Sequence, residues 1–124
     1  MSVVDELYVI ARRVLLDALL VAKLHKISER RGTDRQSDKD ALDVLRLLRG
    51  TETDELATRY VKLLGDKRSA EAARAARELL AAQFAARAGI GVQMAIRSAG
   101  ALGNADEIAA SCEALVSDLL QAVA

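Results

Sequence analysis

Proline is absent from this sequence, and aromatic residues are scarce: two tyrosines, one phenylalanine and no tryptophan. With no proline, no helix is interrupted by a missing amide donor. β-Branched residues nowhere alternate with polar ones, so a half-buried strand has no signal. There is one cysteine, Cys112, which excludes an internal disulfide and fits a reducing, cytoplasmic setting. Net charge is also lacking: 18 Lys and Arg balance 18 Asp and Glu. A dedicated DNA binder carries a basic excess, so none is expected, although a local basic patch is compatible with the balance. The N-terminus bears Asp5 and Glu6 where a secretory signal would be basic, so no signal peptide is expected. No apolar run approaches the roughly 18 residues of a membrane span. Ala18 to Ala22, for instance, is closed off by Asp17 and Lys23.

What remains is helix-forming material. The 124 residues suit a single domain spanning 1–124, and 52% of them are hydrophobic. Alanine, the best helix former and a small one, supplies much of that share. The expected class is all-α: a compact bundle of about six helices with short turns. Ser2 and Asp5 open the first, with Val3, Leu7, Ile10, Val14, Asp17 or Ala18, Val21 and Leu24 on its inner stripe. It runs to Arg31, with Gly32 as a stop and a break near Ala18 open. Ser37 and Asp40 start the second, which buries Ala41, Val44, Leu45 and Leu48 and ends at Gly50. Thr51 and Asp54 cap the third, with Leu56, Ala57, Tyr60, Val61 and Leu64 inward. Asp66 or Ser69 caps an alanine-rich fourth that buries Ala73, Ala76, Leu80 and Phe84. A shorter fifth turns Val92, Ala95, Ile96 and Ala99 inward. Asn104 and Glu107 cap the last, whose stripe is Ile108, Cys112, Leu115, Leu119 and Val123, flanked by Val116 and Leu120.

Candidate chemistry concentrates between Leu20 and Leu48. Lys23, Lys26 and Arg30 are spaced i, i+3, i+7 and share one helix face. Such a face can hold phosphates, although charge runs more commonly mark a solvated surface. Asp38, Asp40 and Asp43 follow across a polar loop. Acidic residues at a helix start also satisfy orphan amides and the macrodipole, which suits Asp38 and Asp40 better than Asp43. His25 is the sole histidine and has no partners at metal-ligand spacing. Cys112 lies in an apolar stripe and reads as a small buried hydrophobe. Gly89 and Gly91 follow no strand and make no phosphate loop.

The segment Ala22-Lys23-Leu24-His25-Lys26-Ile27, followed by Lys39-Asp40-Ala41-Leu42-Asp43-Val44, resembles the helical part of AbiEii-type nucleotidyltransferases, toxin-like members of the minimal nucleotidyltransferase superfamily. Lys23 matches the lysine of the family's first pattern. Lys39, Asp40, Asp43 and Val44 match its second. The resemblance implies that Lys23 meets a nucleotide's phosphates and that Asp40 supports catalysis, with Lys26, Arg30 and Asp43 beside them. The family also needs a sheet bearing a Gly-Ser motif and a metal-binding acidic pair. This sequence has no Gly-Ser dipeptide and no D-x-D on a strand.

The expected function is therefore a helical domain like the C-terminal bundle of such a toxin. Alone it is not catalytic and binds phosphate or nucleotide weakly. Two alternatives stand: a structural or self-associating module without ligand, and the helical half of a split enzyme. No catalytic residue, metal ligand or cofactor is assigned, and magnesium enters only with a separate catalytic core. Leu15, Leu16, Leu19, Leu20, Val21 and Leu24 cover more than one helix face, so a homo-oligomer or a partner protein is expected, with no membrane.

Overall fold

A computed structural model describes the backbone of residues 3–30 and 35–124 and the side chains of 16–29 and 38–124. Six α-helices and no strand occur among the described residues. They are α1 Val3–Arg30, α2 Arg35–Gly50, α3 Thr53–Gly65, α4 Ala70–Phe84, α5 Ile90–Ala99 and α6 Ala105–Ala122, with a 3-10 turn Gly100–Leu102 before α6. The all-α expectation holds. No helix among the described residues is long and apolar enough to cross a membrane.

α1 runs without a break at Ala18. Its buried stripe is Asp17, Leu20, Leu24 and Ile27, while Val21 is only partly buried and Ala18 is exposed. The inner face is thus rotated from the expected one, because Leu20 and Ile27 offer more apolar surface than Ala18 and Val21. Gly32, expected as a stop, lies outside the described residues. α2 begins at Arg35, so Ser37, expected to start it, lies inside the helix two residues later. α2 lies alongside both α1 and α5. It buries Ala41, Val44, Leu45 and Leu48 as its period requires.

The capping expectations divide. Asn104 Oδ1 accepts the Glu107 amide at 3.0 Å, as its position predicts. At α3 the N-cap is Glu52, not Thr51, and it makes no side-chain cap bond. Ser69 is the N-cap of α4, yet its hydroxyl donates 2.7 Å back to the Leu63 carbonyl. It ties down the end of α3 rather than the start of α4. Val61 is half exposed and Leu64 only partly buried. On α5 Met94 is buried and Ile96 is not fully so; on α6 Val116 is buried while Leu115 is partly exposed.

α4 contacts α1, α3, α5 and α6 and forms the middle of the bundle. Its alanines permit this, since Ala73 and Ala76 take little room. Tyr60 and Phe84 are the largest buried side chains. The Tyr60 hydroxyl donates to the Ala73 carbonyl at 2.5 Å, joining α3 to α4. Phe84 lies over Gly91, where an added Cβ would come within 2.5 Å of the ring.

Two outcomes follow for stability. Gly91→Ala should cost about 1–3 kcal/mol in urea unfolding, because the rigid ring must yield. Gly65→Ala, with open space around it, should be neutral or slightly stabilising. Burial pushes the Tyr60 phenol up to about 12. The unfolded phenol ionises near 10 (about its ordinary value), so the folded state keeps a proton the unfolded state loses. That contribution is complete below about pH 10 and is lost as pH rises to about 12. Tyr60→Phe should lower stability by roughly 1 kcal/mol at neutral pH. Its unfolding curve should also fall less steeply than wild type across that alkaline window.

Candidate functional site

Packing of α2 on α1 places the acidic border of α2 against Lys23. Asp40 and Asp43 are one turn apart, so both reach the same ammonium. Lys23 Nζ donates to Asp40 Oδ1 at 2.7 Å and to Asp43 Oδ2 at 3.1 Å. Asp40 is buried at 1% exposure, Lys23 retains 16% and Asp43 40%. Arg46 Nη1 stands 3.6 Å from Asp43 on the solvent side. Burial acts to lower the Lys23 pKa, but its bonds to Asp40 and Asp43 and their charges outweigh that and hold it above the ordinary lysine value. The ammonium is therefore firmly charged. Asp40 Oδ2 is buried and has no partner among the described residues.

Of the residues expected at this site, Lys23, Asp40 and Asp43 converge. Lys26 is exposed one turn along α1 and makes no salt bridge among the described residues. Arg30 lies in α1, and its side chain is outside the described residues. Asp38 lies in the first turn of α2, as an N-terminal acid should, and also accepts a two-pronged bond from Arg97, at 2.9 and 3.3 Å, which fastens α5 to α2. His25 Nε2 lies 3.0 Å from the Ala72 carbonyl, so its role is to join α1 to α4. Cys112 is fully buried, and burial pushes its thiol up to about 11. No group of three or more His, Cys, Asp or Glu placed to hold a metal ion occurs among the described residues.

Two further buried polar residues are Gln83 and Asp17, of which the helical period places only Asp17 on an inner stripe. Gln83 donates to the Leu24 carbonyl at 3.3 Å across the α1–α4 contact. Asp17 is 7% exposed and borders a cleft of about 600 Å³ with Glu55, Thr58, Arg59 and Lys62 of α3. An aspartate flanked by apolar residues at helical spacing was the available clue for Asp17. Nothing in one sequence points Gln83 at α1.

No family model matches the chain, and neither a curated protein nor a solved structure matches it.

Removing Lys23 leaves Asp40 as an uncompensated buried charge. Lys23→Ala should cost about 3 kcal/mol in urea unfolding. Asp43→Asn should cost under about 1 kcal/mol, because Asp43 is well solvated. Pairing Lys23→Met with Asp40→Leu should recover most of the loss. If the double variant is as unstable as Lys23→Ala, the charge account of this contact is wrong.

Proposed function

We propose that the chain is a helical module of the kind that forms the C-terminal bundle of AbiEii-type nucleotidyltransferases. It is not catalytic by itself, and it holds phosphate weakly at Lys23 and Lys26. The meeting of Lys23 with Asp40 and Asp43 supports this reading. These residues carry the two patterns that resemble the family. They come from different helices, 17 and 20 positions apart, and likeness in sequence alone does not require that they touch.

The charges set the strength. Lys23 shares one positive charge between two carboxylates, so a phosphate must draw it away from Asp43, the more exposed of the pair. Lys26 adds a second, exposed cation. Affinity is accordingly near millimolar, about 4 kcal/mol. It falls with salt, as screened charge requires. Transfer chemistry would need a Gly-Ser motif, which this sequence does not contain, and an acidic pair on a strand, whereas Asp38 and Asp40 lie on α2. A cytoplasmic setting fits the lone, buried thiol.

A second reading is favoured by the same carboxylates. A lysine already paired twice serves as a lock between helices, and the module then acts by contact with a second copy or a partner protein. Leu19 on α1, 43% exposed, supplies apolar surface for that.

A titration with nucleoside triphosphate, followed by amide chemical shifts, separates the two. Shifts confined to the Lys23–Lys26 face, weakened by salt and abolished by Lys26→Ala, support the phosphate reading. Absent shifts, together with self-association in light scattering, support the lock. Incubation with radiolabelled triphosphate, magnesium and RNA should label nothing; label that disappears in Asp40→Asn would overturn the non-catalytic proposal.

A further inference from the structure

A second surface borders the Lys23 cluster on its Arg46 side, where α2 meets the 3-10 turn and the start of α6. The cleft there has a volume of about 520 Å³. Leu42, Ala99 and Ile108 give it an apolar floor. Arg46 and Arg49 stand on its α2 side, one turn apart on the same helix face. Arg46 is 69% exposed, and its contact is the 3.6 Å approach to Asp43. Lys23 divides one charge between Asp40 and Asp43, so Asp43 answers part of the Arg46 charge, and the exposed guanidinium stands beside the cleft. Arg49 reaches Ser111, a neutral hydroxyl, at 3.0 Å. Glu107 is the one acid that lines the cleft among the described residues, and the two arginines leave it net basic.

Leu102 stands at the rim, fully exposed. The backbone fixes it there. Gly100 has φ of +60°, a conformation that favours glycine, and the Gly103 amide closes the turn on the Gly100 carbonyl at 3.1 Å. The leucine is thus presented by a defined turn beside two cations and an apolar floor.

We propose that this cleft docks an acidic segment of a partner protein, one that carries leucine-class side chains beside its carboxylates. Charge complementarity selects the acidic character. Guanidinium groups one turn apart match carboxylates at the same spacing on a helix, and such pairs steer encounter and fix register. The apolar floor and Leu102 select a protein segment over nucleic acid, because a phosphate backbone offers nothing to them.

The full chain is the reagent. A fluorescein-labelled synthetic helix with leucines on one face and flanking glutamates is titrated by anisotropy, beside the same helix with lysines in place of the glutamates. A labelled single-stranded RNA is titrated in parallel. Binding of the acidic helix is expected, at least about tenfold tighter than the lysine helix (a 1.4 kcal/mol difference). Arg46→Glu and Leu102→Ser should each weaken it several-fold while circular dichroism stays at the wild-type signature, and the urea midpoint of Leu102→Ser should stay at the wild-type value. Arg46 and Leu102 are exposed, so both variants should fold. Equal binding of the two helices, no binding of the acidic helix, or indifference to Leu102→Ser overturns the proposal. RNA binding that is lost in Arg46→Glu but kept in Leu102→Ser also overturns it, in favour of a phosphate surface.

Discussion

The Lys23 ammonium and the buried Asp40 carboxylate form the contact on which the placement of the other helices depends. Apolar packing is strong but has little direction, and an alanine-rich helix can slide along a neighbour at small cost. A buried carboxylate cannot slide. Separated from Lys23 it would stand charged and unpaired in the interior, which is costly. The 2.7 Å bond therefore fixes the register of α2 on α1. α2 in turn carries polar groups on the other border of its apolar stripe. Asp38 holds Arg97 of α5, and Arg49 holds Ser111 of α6. One helix thus sets the position of three others, α1 from one border of its apolar face and α5 and α6 from the other.

The middle of the bundle follows a different logic. α4 touches four helices, and small side chains make that possible. With Ala73 and Ala76 at its contacts, it approaches its neighbours closely and loses little side-chain entropy on burial. The bulky groups sit at the edges of this region. Phe84 fills the space over Gly91, and Tyr60 places its hydroxyl on a helix carbonyl. Among the described residues, Phe84 and Tyr60 each have a specific seat. Replacing either partner changes the distance between two helices, not one local contact.

These arrangements were unequally legible in the sequence. Helix number and the main stripes came from period and glycine spacing, which are local properties. The Asn104 cap was legible for the same reason, because cap and amide are three residues apart. Local patterns failed where a side chain's fate depends on a distant neighbour. Ser69 has the right identity for an N-cap, but the Leu63 carbonyl takes its hydroxyl. Val61 fits the α3 stripe, yet it is half exposed among the described residues. Leu115 and Val116 are both apolar, and which one is buried is decided by the helices that α6 packs against. Asp38 and Arg97 lie 59 residues apart, and no spacing rule connects them. In the sequence, only a family resemblance links Lys23 with Asp40 and Asp43. The physics that joins them is an acidic helix border facing a lysine, which period alone leaves undetermined.

The pairing at Lys23 also bears on what the chain can do. A lysine that meets phosphate in an open site is free to move and its charge is unshared. Here the charge is raised in persistence by two carboxylates and lowered in availability by the same two. The more exposed of them, Asp43, is also approached by Arg46 from the solvent side. That approach weakens the hold of Asp43 on Lys23, since one carboxylate then answers two cations. In the proposed phosphate reading, release of Lys23 toward an incoming anion would proceed through Asp43, while Asp40, buried and closer, keeps the helices in place. The proposed binding role and the structural role are compatible at this cluster because they fall on different carboxylates. Asp40 sets the register of α1 and α2, and Asp43 determines how much of the lysine's charge reaches the surface.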